Sequence, residues 1–246
     1  MSLRESPIAK GPGESPILVL TAHGSDDPRS AANTHATADQ IRLLRPGLDV
    51  RVAFCEKNDP NLTDVLTGLD GPAVVTPLLL ASAFHARVDI PAMIAEARAD
   101  VLLADTLGED PRLVELMRLR LSELNLDSDS CDSGVLVVAV GSTDAAANAR
   151  TATLAGALSP AAAVRVVFAT GQAPSVADGI AELRDLGVRR IVLAPWFIAP
   201  GRITDRVAAI ASAAGVAMAR PLGAHPLLAA TVLDRFDRAV AERLAA

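Results

Sequence analysis

The sequence predicts an α/β fold of two similar halves, each a four-stranded parallel sheet flanked by helices. Three observations carry this. Apolar runs of strand length alternate with longer stretches of helical periodicity, an order that implies parallel strands joined by right-handed crossovers. Residues 127–133, DSDSCDS, are polar and without period, and after them the alternation starts again. The second round also repeats the first. GVLVVAVGS at 134–142 answers PILVLTAHGS at 16–25, VRVVFATGQAPSV answers VRVAFCEKNDPNL, APWFIAPG at 194–201 answers TPLLLASA at 76–83, and LGAHPLL at 222–228 answers LGEDPRL at 107–113. The offsets are 117, 114, 118 and 115 residues (142 − 25, 168 − 54, 195 − 77, 223 − 108). Four matches in one order at a nearly constant offset mark a duplication.

In the first half, ILVLTA at 17–22 reads as a strand that ends at HGS, followed by a helix over about 29–44. A second strand falls at 48–55, Pro60 can open a short helix to about Leu69, and PAVVTPLLL at 72–80 is the third strand. A helix over about 88–98 leads to a fourth strand at 100–104, and Asp110-Pro111 has the form of a cap with proline at the first helical position, starting a helix to about Leu124. The expected strand order is 2-1-3-4. The divisions are a flexible leader at 1–16, a first domain at 17–126, a linker at 127–133 and a second domain at 134–246.

Composition bounds the function. Half of the 246 residues are hydrophobic, enough for two cores, and the net charge of −6 with no dense Lys/Arg run argues against a nucleic-acid surface. Aromatic residues are 2% and tyrosine is absent, so base-stacking platforms are lacking. Residues 1–16 have no apolar segment of the signal-peptide kind, and no apolar run is long enough to cross a bilayer. Cys55 and Cys131 are the two cysteines, with no CxxC spacing, which fits a reducing cytoplasm and neither a disulfide framework nor a thiolate cage.

The candidate site is organised around TPLLLASAFHARVDIP at 76–91, where a buried strand breaks into small residues and then presents His85, Arg87 and Asp89. The first half carries His23, Glu56 and His85 at strand ends; the aligned places in the second half hold Val140, Thr170 and Ile203. One half keeps an ionisable set that its copy lacks, which favours a single site in the amino-terminal half. In a parallel sheet all carboxyl ends share one edge, so these three residues become neighbours there. Two imidazoles and a carboxylate suit iron, cobalt, nickel or zinc, and equally suit proton relay.

AHGS with His23, the FxE element at Phe54–Glu56 followed by Pro60, and the PxxLxxxFHxxxDIP element from Pro77 to Pro91 together resemble the sirohydrochlorin chelatase family of the CbiX and SirB type. The second half resembles the degenerate copy of that family's duplicated long form, and the likeness spans about 17–244. It implies a chelatase-like, flavodoxin-like fold in each half. It also implies insertion of a divalent metal, Fe2+ or Co2+ and in vitro Ni2+ or Zn2+, into sirohydrochlorin, with no permanently bound cofactor. The family's two active-site histidines fall on His23 and His85, and the glutamate that related cobalt chelatases use falls on Glu56. His85 is then the principal base or metal-delivering ligand, His23 its partner, and Glu56 a metal ligand or proton relay. The family's glycine before the FH pair is Ala83 here, which disfavours positive φ at that point.

Substrate contacts are expected from Ser25, Ser82, Ala83 and Arg87; Arg29, Arg202 and Arg206 fall near the same edge and read either as ordinary surface arginines or as partners for a macrocycle bearing eight carboxylates. Asp89 reads as a helix cap, His35 as a surface residue, His225 as a helix-entry residue in the place of Asp110, and Cys55 as a half-buried strand thiol. The expected partners are sirohydrochlorin and metal, with neither nucleic acid nor membrane, for a cytoplasmic monomer. The alternative is a carrier or scaffold that binds metal or tetrapyrrole without turnover.

Overall fold

The strands at Ile17–Ala22 (β1) and Ser133–Ala139 (β5) are buried along their whole length, the condition of a strand in a parallel sheet with helices on both faces. In the first sheet β1 lies between β2 (Val50–Phe54) and β3 (Ala73–Pro77), and β4 (Leu102–Leu103) adds to β3, giving β2-β1-β3-β4. The second sheet repeats this as β6 (Ala163–Phe168), β5, β7 (Arg190–Trp196) and β8 (Ala217–Met218), and every pairing in both is parallel. The 2-1-3-4 order read from the sequence is the observed one. This computed structural model describes residues 16–82, 85–124, 133–158, 163–170 and 174–245, with backbone alone at His85. The leader apart from Pro16 and the linker apart from Ser133, which opens β5, lie outside the described residues, as does Ala83.

The first-half helices are α1 (Pro28–Leu44), α2 (Leu62–Thr67), α3 (Ile90–Glu96) and α4 (Pro111–Ser122); the second half has α5 (Ala145–Ala152), α6 (Leu154–Leu158), α7 (Val176–Asp185), α8 (Arg202–Ala213) and α9 (Pro226–Ala245). Asp27 and Asp110 cap α1 and α4, each accepting from the N–H two residues on. Three local expectations are corrected. Asn61, not Pro60, starts α2, because its amide oxygen accepts from Thr63 N–H. Asp89 has helical backbone and makes no capping bond, because one π-turn, His85–Asp89, already leads into α3. The fourth strand shrinks to two residues at the sheet edge, although Ala104 N–H still donates to Val75.

Alternation along the strands divides the interior into three layers. Ile17 and Val19 face α2 and α3, with Leu62, Leu66 and Ile90. Leu136 and Val138 face α7 and α8, with Ile180 and Val207. Leu18 and Leu20 from one sheet and Val135 and Val137 from the other enter a central core common to both halves.

That central core is built by exchanged helices. α9, the last helix of the second half, packs on β3, β4 and α1 of the first, while α4 of the first packs on β7 and α6 of the second, and the two helices also touch each other. Leu228, Val232 and Phe236 of α9 are buried there, each worth about 1.5–3 kcal/mol relative to exposure. A matched pair of arginines fixes the exchange. Arg120 of α4 donates through Nε and Nη2 to the Leu222 carbonyl at 3.2 and 2.7 Å. Arg235 of α9 donates to the carbonyls of Thr106 and Leu107 at 3.1 and 2.7 Å and to Asp110 at 3.0 Å. The two arginines and their two leucines share one offset (235 − 120 = 222 − 107).

Candidate active site

At the carboxyl edge the central layer opens into a cleft of about 660 Å³ between the halves, within the range of small-molecule sites. Ala22 and Leu78 on one side and Ala139 and Trp196 on the other belong both to the central core and to the cleft wall. The first half adds His23, Ser25, Glu56 and Lys57; the second adds Val140, Phe168, Phe197, Ile198 and Arg202. The first wall carries the histidine and the carboxylates; the second is apolar and aromatic apart from Arg202.

The walls share a backbone. Glu56 N–H donates to the His23 carbonyl, and Thr170 N–H to the Val140 carbonyl, both at 3.0 Å. Each turn passes through a glycine of positive φ, Gly24 at +98° and Gly141 at +93°. A Cβ on Gly24 would lie 1.8 Å from the Glu56 carbonyl oxygen, and one on Gly141 would crowd Phe168 and the Thr170 carbonyl at 3.0 and 3.2 Å. Glycine is therefore what lets the β1 loop rest on the segment after β2. The difference between the halves is in side chains: Val140, 41% exposed, occupies the place of His23.

His23 Nδ1 lies 3.4 Å from Glu56 Oε1, and both side chains are partly exposed in the cleft. The pair can hold an imidazolium beside a carboxylate or present nitrogen and oxygen donors to a cation. His85 begins the π-turn beyond β3, next to Ala86, which lines the cleft; its side chain lies outside the described residues. Among the described residues no three His, Cys, Asp or Glu side chains gather as a metal-holding group, so the expected trio is represented by His23 with Glu56. Cys55 is half-buried, and burial, aided by the charges of Asp89 and Glu56, raises its thiol to about 11. It is protonated at neutral pH, in keeping with a strand thiol.

Several predicted contact residues are engaged with the protein. Ser25 lines the cleft, but its hydroxyl accepts from Asp27 N–H at 3.1 Å and its N–H donates to Asn58 at 2.8 Å. Ser142 makes the same two bonds, to Asp144 N–H and Asn148. Ser82 accepts from Arg87 Nε at 3.2 Å, and Arg87 Nη1 reaches Asp144 of the second half at 3.3 Å. Arg29 is held between Asp27 and Asp205, and its hydrogen bond lowers Asp27 to about 2. Arg206 donates to the Ala169 carbonyl at 3.5 Å. His225 Nδ1 accepts from Leu227 N–H at the start of α9, repeating what Asp110 does for α4. His35 is exposed, with its ring edge on Phe54.

Sequence reasoning missed Lys57 and Trp196. Lys57 lines the cleft with φ of +63°, a conformation rare outside glycine. A signal for it existed, since the repeat places Gly171 at the same position (171 − 57 = 168 − 54).

Fold and cleft together define a two-lobed α/β protein, its second lobe a copy of the first, with the histidine–glutamate pair in the amino-terminal lobe. The CbiX family pattern matches it twice, over residues 17–124 and 134–239, and the chain belongs to that family. A sirohydrochlorin cobaltochelatase of Priestia megaterium is 26% identical over 209 residues, spanning 77% of this chain and 66% of the relative, so the chain covers just under two thirds of that protein. A sirohydrochlorin ferrochelatase of the same organism is 27% identical over 206 residues, spanning 77% of this chain and 76% of the relative. The structure of SirB from Bacillus subtilis with Fe3+ superposes with a TM-score of 0.79 at 20% identity, over 94% of this chain and 98% of that one, a likeness of fold.

Proposed function

We propose that this protein is a metal chelatase that inserts a divalent metal, Fe2+ or Co2+, into sirohydrochlorin and releases two protons. The observation that carries the reading is the cleft of this CbiX-family chain, with His23 and Glu56 on one wall and an apolar, aromatic wall opposite. The related cobalto- and ferrochelatases support the same substrate. Insertion takes two pyrrolic protons from the macrocycle while the cation sheds water. A neutral imidazole can accept such a proton or hold the incoming cation, and Glu56 beside it can pass the proton on or complete the transfer of the ion. A small set of nitrogen and oxygen donors with open positions suits an ion that must leave; four closed ligands suit a structural one.

His23 and Glu56 are the catalytic and metal-handling residues in this reading. His85 joins them on the strength of the family motif and its place in the chain next to cleft-lining Ala86. The metal is substrate, with no resident cofactor, and the site lies within a monomer acting in the cytoplasm. Imidazole and carboxylate accept iron and cobalt alike, so supply of the ion decides between them. No helix among the described residues is long and apolar enough to cross a membrane. The test is anaerobic absorbance spectroscopy of sirohydrochlorin with Fe2+, Co2+, Ni2+ and Zn2+ in turn. Acceleration by the wild type and its loss in His23→Ala are expected; binding of the macrocycle with no acceleration for any ion makes the protein a carrier instead.

A further inference from the structure

We propose that Lys57 and Arg202 form a carboxylate-binding subsite across the mouth of the cleft, where a peripheral carboxylate of the macrocycle displaces Asp26. The proposal rests on the reading of the ligand as a polycarboxylate tetrapyrrole. Asp26 Oδ2 lies 3.2 Å from Lys57 Nζ and 3.8 Å from Arg202 Nη1. One cation comes from each half, and all three residues line the cleft. A carboxylate already sits between two cations, one from each half, on the lining of the cleft.

The seat is exchangeable. The side chains of Lys57, Asp26 and Arg202 are 44, 52 and 79% exposed, and ion pairs this open are weak. Replacing one carboxylate by another therefore costs little, while the incoming one brings the apolar burial of its ring. The other cations at this edge are less available. Arg29 makes two hydrogen bonds to each of Asp27 and Asp205, and Arg87 is held by Ser82 and Asp144.

Lys57 is also fixed relative to His23 and Glu56. Its left-handed backbone lies in a turn closed by Asn58 N–H donating to the Glu56 carbonyl at 2.8 Å, and Asn58 Oδ1 accepts from Ser25 N–H at 2.8 Å. A carboxylate bound at Lys57 is thus registered against the loop that bears His23, which sets how the ring lies under the reacting pair.

The chain has a single tryptophan, Trp196, and it lines the cleft, so its fluorescence reports occupancy without turnover. Metal-free sirohydrochlorin is titrated into the full chain and its variants. Lys57→Ala and Arg202→Ala are each expected to weaken binding roughly three- to tenfold, and Asp26→Asn to tighten it. Asp39→Asn, which removes the same charge from the pair with Arg42 on α1, is expected to leave affinity unchanged. The fully esterified macrocycle is expected to bind wild type and variants alike. Wild-type affinity in both cation variants, or weaker binding in a folded Asp26→Asn, overturns the subsite. No quenching of the wild type by the acid macrocycle overturns the tetrapyrrole reading instead, so the two failures are separable.

Discussion

His23 and Glu56 are joined twice, by the Glu56 N–H donating to the His23 carbonyl at 3.0 Å and by Nδ1 and Oε1 3.4 Å apart. The backbone bond sets the distance between the side chains, and Gly24 permits the bond. Gly24→Ala places a Cβ 1.8 Å from the Glu56 carbonyl oxygen at φ of +98°, so the two loops must part. The expected result is a stability loss of about 1–3 kcal/mol from strain and a fall in chelatase turnover larger than that loss explains at temperatures where the variant remains folded. Denaturant melts and steady-state rates on one preparation measure both.

The strand order and the pseudo-equivalence of His23 with Val140 were legible because strand period and tandem offset are local properties of the chain. Which sheet covers a helix is not. The apolar faces of α4 and α9 announce burial, but crossed and uncrossed packing satisfy the same periodicity. The arginine code was present as the shared offset of Arg120 and Arg235, and an arginine on a helix face ordinarily reads as solvated. Arg29 and Arg87 were only half legible for a related reason. Their place at the carboxyl edge follows from sequence, whereas their capture by Asp205 and Asp144 depends on how the lobes face each other.

Arg235 is the residue whose loss should cost most in the exchanged packing. It is 12% exposed and joined to Asp110, at 7%, so truncation leaves that buried carboxylate with Arg112 alone, through its N–H and an ion pair at 3.6 Å, and frees the Thr106 and Leu107 carbonyls. Arg235→Ala is expected to destabilise by about 1–3 kcal/mol. Arg120→Ala should cost less, since its partner Glu123 also pairs with Arg220 and is 37% exposed. Urea unfolding of the two variants tests the ranking, and equal midpoints contradict it.

His225 gives the fold an acid-sensitive joint. Burial, with the charge of Arg120, lowers its pKa below the ordinary 6.5, while Glu123 acts the other way. Its Nδ1 accepts from Leu227 N–H, which only the neutral ring can do. A depressed folded pKa means that the contribution is complete above about pH 6.5 and is lost as pH falls through the folded value. His225→Asp supplies the cap that Asp110 gives α4 and keeps it at lower pH. Thermal melts between pH 5 and pH 8 should show the wild type losing stability on the acid side faster than this variant; parallel curves exclude His225 as the cause.

The sharpest test of the asymmetric cleft sets His23 against Val140, two positions with one backbone and different side chains. If proton transfer and metal handling belong to the amino-terminal wall, His23→Ala removes a group that acts on the reacting atoms, and the rate should fall by about 10²–10⁴. Val140→Ala trims an apolar contact with the ring and should change KM by a few-fold with little effect on kcat. Glu56→Gln should fall between them, because it keeps the size of the side chain while removing the charge beside the imidazole. Added imidazole should restore part of the His23→Ala rate, since the space left next to Glu56 opens into the cleft, and should do nothing for Val140→Ala. Both substitutions are at partly exposed positions, so the fold should survive each and a lost rate is not lost protein. A kcat loss at Val140 as large as that at His23 would put chemistry on both walls and end the single-site reading.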